Sequence, residues 1–145
     1  MIKTCVVIGS GNVATHLATA LAPYVEILQI YSRDISHARE LAGKISLSCV
    51  ATNDVTALCP DADLYFGGIY SPANIEWLLD QGVTNIFYPC MTYNVKEDCS
   101  DNCYNCPVVA YYPEVLHANM QELENYNFIF DYVGLSDYKK LASKL

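Results

Sequence analysis

Basic charge is scarce in this chain: 8 Lys and Arg face 16 Asp and Glu across 145 residues, leaving a net charge of −8. Such a balance repels polyanions, which excludes nucleic acid and anionic membrane surfaces as general partners. Any bound phosphate must be held by local groups. No apolar run approaches the length that crosses a bilayer, and Met1 to Ile8 is too short for a signal peptide and lacks a cleavage site. A soluble, cytoplasmic protein is therefore expected. No internal repeat, low-complexity segment or linker interrupts the chain, and no serine or cysteine is paired by sequence with a histidine as a nucleophile. Charged residues make up 17% and hydrophobic ones 52%, which excludes a disordered chain and supplies the core of one domain over residues 1–145.

What is present gathers first in IKTCVVIGSGNVATHLATALA, residues 2–22. The apolar run Cys5 to Ile8 reads as a buried strand, Gly9-Ser10-Gly11 as a tight turn, and Val13, Leu17 and Leu21 as one stripe of an amphipathic helix. A turn without Cβ atoms admits a pyrophosphate to the first amides of the helix, where unpaired N–H groups and the positive helix end favour an anion. With Ala14 at the third small position the pattern is G-x-G-x-x-A, placed as in a Rossmann dinucleotide-binding turn. Gly9, Ser10, Gly11, Asn12 and Val13 are thus candidate pyrophosphate contacts. The alternative is a turn that serves architecture alone.

A second strand, Val25 to Tyr31, runs into Ser32-Arg33-Asp34, about 20 residues beyond the glycine turn, where a Rossmann fold meets the adenosine ribose. NAD calls for a carboxylate at the strand end, whereas a hydroxyl and a guanidinium suit a 2′-phosphate, so Ser32 and Arg33 point to NADP. An ordinary surface arginine is the alternative, and the Asp34 carboxylate could compete for the ribose. Further on, the pattern predicts a helix over 35–42 stopped by Gly43, a strand near 47–51, and a short helix begun by Thr52 or Asn53 and ended at Cys59-Pro60. A strand follows over 64–70, then a helix from Ser71-Pro72 to Gly82, with Tyr70 and Ser71 at the strand's carboxyl end as further cofactor candidates. The remaining expectations are a strand at 83–88, a loop at 91–106, strands at 107–112 and 126–133, a helix from Pro113 and a last helix capped by Ser136.

Seven cysteines, an odd number without export features, argue for reduced thiols or metal ligands over disulfides. Cys5, Cys49 and Cys59 lie on or beside apolar runs and read as small buried hydrophobes. Cys90, Cys99, Cys103 and Cys106 fall in the cysteine-bearing stretch 90–106, a spacing that can converge on zinc or an iron–sulfur cluster, or leave unliganded thiols. His16, His37 and His117 lie on predicted helices away from that stretch and read as surface or helix-flank residues.

Two resemblances overlay this reading. VVIGSGNVATHLATAL, QIYSRD, HARELA and PDADLYF make residues 1–66 resemble the cofactor domain of NADP oxidoreductases related to pyrroline-5-carboxylate reductase and 6-phosphogluconate-dehydrogenase-like proteins. That resemblance implies pyrophosphate contacts from the glycine turn and 2′-phosphate contacts from Ser32 and Arg33. IEWLLDQGVTNIFYPCMTYNVKED, DNCYNCPVVAYYPEVLHANMQEL and DYKKLASKL are similar to a region of acyl-CoA dehydratase activase-related proteins of the 2-hydroxyglutaryl-CoA dehydratase type. That second family implies an iron–sulfur cluster. Cys90 and Cys106 keep its cysteines, Cys103 stands where it more often has histidine, and Tyr70-Ser71-Pro72-Ala73-Asn74 replaces a cysteine ahead of Pro-Ala-Lys.

The fold expected is α/β: a doubly wound, mostly parallel, Rossmann-like sheet in three layers, its dinucleotide-binding half at 1–66 and an α/β continuation at 67–145. Three functions are open. The first is an NADP-binding oxidoreductase module whose substrate pocket is completed by a second copy or a partner subunit. The second is an iron–sulfur or zinc protein related to the activases. The third is a non-catalytic Rossmann domain that senses a nucleotide or serves structure alone.

Overall fold

A computed structural model of the chain describes residues 2–67, 72–93 and 103–134. In chain order the strands are β1 (Thr4–Ile8), β2 (Glu26–Tyr31), β3 (Val50–Thr52), β4 (Leu64–Gly67), β5 (Asn85–Phe87), β6 (Cys90–Tyr93), β7 (Asn127–Ile129) and β8 (Tyr132–Gly134). The helices are α1 (Asn12–Leu21), α2 (Ile35–Ile45), α3 (Pro72–Asp80) and α4 (Pro107–Asn119). Six strands form one sheet in the order β3-β2-β1-β4-β5-β7, and every pairing in it is parallel. With its strands counted along the chain this is the 3-2-1-4-5-6 order of a Rossmann fold. A second, two-stranded parallel sheet joins β6 to β8.

A central parallel strand must be apolar on both faces because helices cover both. In β1 the residues Cys5, Val6 and Val7 are all fully buried. Their directions alternate. Cys5 and Val7 join Leu17 and Ala18 of α1 and Leu41 of α2 in one core, while Val6 and Ile8 join Ile75 and Leu78 of α3 and Leu116 of α4 in the other. The molecule is therefore three layers, helix–sheet–helix. At the entrance to β1 the Asp63 carboxylate accepts from the backbone N–H groups of Lys3 (2.8 Å) and Thr4 (3.0 Å), and the Thr4 hydroxyl accepts from the Asp63 N–H at 3.0 Å. These bonds hold the Asp63 carboxyl below the usual carboxylate range.

Local chemistry places the helix ends. Asp34 caps α2 by accepting from the Ser36 N–H, and Gly82, at φ +78°, closes α3 with an N–H bond to the Leu79 carbonyl. Gly43, expected to stop α2, lies inside it; the helix continues to Ile45, and Ser46 is its C-cap. The third strand sits at 50–52, slightly later than expected, and the short helix is a single 3-10 turn, Val55–Ala57, capped by Asp54.

Two expectations in the second half are overturned. Residues 107–112, expected as a strand, are the first half of α4: Cys106 is its N-cap, Pro107 fills the first helical position, and buried Pro113 sits inside the helix. The β-branched and aromatic run VVAYY suits a strand, but Ala110 and Leu116 are buried at a helical spacing, and that packing prevails. The stretch 91–106, expected as a loop, begins with β6, and a bridge from Tyr93 to Tyr104 ties its two described ends together. Residues 126–133 are extended as expected, but in two short strands serving two different sheets. The helix expected from Ser136 lies outside the described residues. Among the described residues, no helix is long and apolar enough to cross a membrane.

Leu17 is fully buried where α1 meets the sheet. Leu17→Ala is expected to lower unfolding stability by about 2–5 kcal/mol in urea titration. A loss under about 1 kcal/mol would show that α1 does not pack as described.

Candidate functional site

β1 ends at Ile8, and the chain must reverse within three residues to enter α1. Gly9 makes the reversal at φ +117°, a region that side chains with a Cβ avoid, while its N–H donates to the Tyr31 carbonyl at 2.8 Å. Gly11 differs. It is the N-cap of α1 with an ordinary extended backbone at φ −75°, and a Cβ built on it meets nothing within 4 Å. Neither conformation nor packing therefore requires glycine at position 11. A Cβ there would project into open space in front of the helix, which is where a ligand backbone approaches closely in a dinucleotide turn. No side chain caps α1 and its first turn holds no acidic residue, so the positive helix end faces that space.

That space is a cleft of about 930 Å³ at the carboxyl ends of β1 and β2. One wall is the glycine turn with Asn12, Val13 and Ala14, and the other is Tyr31, Ser32, Arg33, Asp34 and His37. The Ser10 hydroxyl donates to the Ser32 hydroxyl at 2.8 Å, joining the two walls. All seven of the expected residues Gly9, Ser10, Gly11, Asn12, Val13, Ser32 and Arg33 come together here. Tyr70 and Ser71 lie outside the described residues, but Asn74 of α3 lines the cleft, so that helix's first turn reaches the same space.

Asp34 is already engaged. Its Oδ1 accepts from the Ser36 hydroxyl at 2.5 Å and from the Ser36 N–H at 2.8 Å, and these bonds hold its carboxyl below the usual range. A carboxylate serving as a helix cap is a poor candidate to accept from ribose hydroxyls, while the neighbouring Arg33 is exposed on the cleft wall. His37, read from sequence as a surface or helix-flank residue, also lines the cleft. Placing the start of α2 at Asp34 puts it one turn from Arg33, which is the signal that could have found it.

The cysteine candidates behave otherwise. Cys99 is outside the described residues, and among the described ones no three His, Cys, Asp or Glu side chains gather closely enough to hold a metal. Cys90 is fully buried on β6, its thiol pushed up by burial despite the backbone amide of Glu114. Cys106 is exposed at the start of α4, and the eight residues from there to Glu114 make about 12 Å of helix. Cys90 lies inside β6 and Cys106 caps α4, next to Asn105, whose side chain donates to the Met91 carbonyl at 2.8 Å. Cys5 is the buried hydrophobe expected, and Cys49 and Cys59 are half-buried against the core, with burial pushing the Cys49 thiol up to about 11.

A model of the CoA enzyme activase uncharacterised domain (DUF2229) matches residues 55–145, more than half of the chain. The chain belongs to that family. Within this activase-domain member the match begins at Val55, just before β4, so the glycine turn and the Ser32-Arg33 wall precede the matched region. No protein of curated function matches the chain. Three solved structures share its fold. A Desulfitobacterium hafniense protein provisionally assigned as an NADPH-dependent oxidoreductase aligns at 14% identity over 91% of this chain and 35% of its own, with a TM-score of 0.61. The scyllo-inositol dehydrogenase of Lactobacillus casei aligns at 15% identity over 89% of this chain and 36% of its own, with a TM-score of 0.58. A Bacteroides fragilis protein provisionally assigned as an NADP oxidoreductase aligns at 22% identity over 99% of this chain and 64% of its own, with a TM-score of 0.50. The activase-domain chain spans less than two thirds of the length of each.

The two glycines should separate on substitution. Gly9→Ala forces a Cβ into the positive-φ region and is expected to cost about 1–3 kcal/mol in urea unfolding. Gly11→Ala is expected to change stability by less than about 1 kcal/mol. Equal losses would mean that Gly11, too, is held by the fold.

Proposed function

We propose that the chain is an NADP-binding Rossmann module of oxidoreductase type. The glycine turn takes the pyrophosphate against the first turn of α1, and Ser32 with Arg33 takes the 2′-phosphate at the end of β2. The observation that carries this reading is one cleft joining a glycine with no structural need to be glycine, at Gly11, to an exposed arginine beside a carboxylate already spent on capping. When bound, the nicotinamide supplies hydride chemistry. The chain's own residues bind and orient: the Ser10–Ser32 bond fixes the spacing of the two walls, and the Asp34 cap fixes the start of α2.

The substrate pocket, in this reading, is completed by a second copy or by a partner subunit, and the setting is cytoplasmic. Kinship of residues 1–66 with pyrroline-5-carboxylate reductase-type cofactor domains belongs to the same proposal. An iron–sulfur or zinc centre at Cys90, Cys99, Cys103 and Cys106 gains no support from the described cysteines. A nucleotide-sensing role without turnover would use the same cleft.

Isothermal titration with NADPH and NADH tests the assignment. Arg33→Ala is expected to weaken NADPH by about tenfold to a hundredfold, the range for losing charge-assisted bonds to a phosphate, and to leave NADH within about twofold. Equal weakening of both ligands would overturn the 2′-phosphate role of Arg33, and no binding of either to the unsubstituted protein would overturn the function.

A further inference from the structure

The cleft lining includes the guanidinium of Arg33, the carboxylate of Asp34 and the imidazole of His37. Asp34 stays ionised because Ser36 donates to it twice, so its charge offsets that of Arg33. With a neutral His37 the lining carries no net charge, and the whole chain, at −8, repels anions. A 2′-phosphate brings about −1.5 to −2 to this wall. The group that can change the balance is the imidazole of His37. It stands in the first turn of α2, where the positive helix end also favours a phosphate.

From this juxtaposition we infer that His37 is a second recognition group for the 2′-phosphate, pairing with it as a cation beside Arg33 and making discrimination between NADPH and NADH depend on pH. The inference rests on the NADP reading above. Asp34 and Glu40 interact electrostatically with His37, and the Glu40 carboxylate is engaged with Lys44 at 2.7 Å. From the facing elements, β2 presents the phenol of Tyr31, α1 presents the uncharged Asn12, Val13 and Ala14, and α3 presents Asn74. An imidazole that takes up a proton becomes a cation with two N–H donors, and no other lining side chain gains positive charge in that way. A phosphate that raises the imidazole's proton affinity in the complex must, by linkage, bind more tightly as pH falls.

The test is the ratio of NADPH to NADH affinity by titration calorimetry at pH 8.0 and pH 6.5, for the unsubstituted protein and for His37→Gln. In the unsubstituted protein the ratio is expected to rise severalfold from pH 8.0 to pH 6.5, because the bound phosphate raises the imidazole's proton affinity. In His37→Gln it stays flat or falls slightly, because the phosphate itself begins to protonate near pH 6. His37 is exposed, so the variant should keep the fold, and an unchanged thermal transition verifies that. A ratio that is flat in the unsubstituted protein, or that rises equally in His37→Gln, overturns the role of His37 while Arg33-dependent preference for NADPH stands. Failure of both dinucleotides to bind at either pH overturns the NADP reading and this inference with it.

Discussion

The structure depends on the parallel pairing of β1 with β4, which sets Cys5 against Leu64, Val6 against Tyr65, Val7 against Phe66 and Ile8 against Gly67. Here the strand order reverses. The connections through α1 and α2 cover one face and lead toward β3, whereas those after β4 put α3 on the other face and lead toward β7. Because the chain departs in opposite directions from two adjacent strand ends, a crevice opens at their carboxyl ends. The Asp63 carboxylate, bound to the first backbone amides of the neighbouring strand, fixes the register at the far end of the pair.

The same pairing joins two regions of different character. The activase-domain match begins at Val55, so β4, β5 and β7 lie within it, while β1, β2 and β3 and their glycine turn precede it. A single six-stranded sheet accommodates both because each contributes strands buried on two faces: Cys5, Val6 and Val7 on one side, Leu64, Tyr65 and Phe66 on the other. Membership of the CoA enzyme activase uncharacterised domain family and a cleft at the glycine turn are therefore compatible properties of one sheet. They occupy different strands of it.

The first half of the fold and most of the cleft were legible in the sequence because they rest on local signals. The G-x-G-x-x-A turn, the Ser-Arg pair after β2 and the apolar stripe of α1 each report their own backbone within a few residues. What escaped was decided at a distance. The run VVAYYP has strand-like composition, and only the burial of Ala110, Pro113 and Leu116 against other elements makes it a helix. Gly43 has the sequence signature of a stop, yet a glycine inside a helix costs only about 1 kcal/mol, less than the packing of Leu41 and Ala42 returns. For His37 the sequence shows only a surface position, because whether a helical histidine faces a cleft or bulk solvent depends on where the helix starts relative to its neighbours.

The central claim is that the open space in front of Gly11 and beside Arg33 is a dinucleotide site. An amide-resolved NMR titration of the full chain with NADPH tests it most directly, because the signal reports position as well as binding. The account predicts saturable shifts at Gly9, Gly11, Asn12, Val13, Ser32, Arg33 and His37, with Tyr93, Cys103 and Cys106 unmoved. Shifts concentrated around Cys90 to Cys106, or spectra that do not change at saturating NADPH, would contradict it.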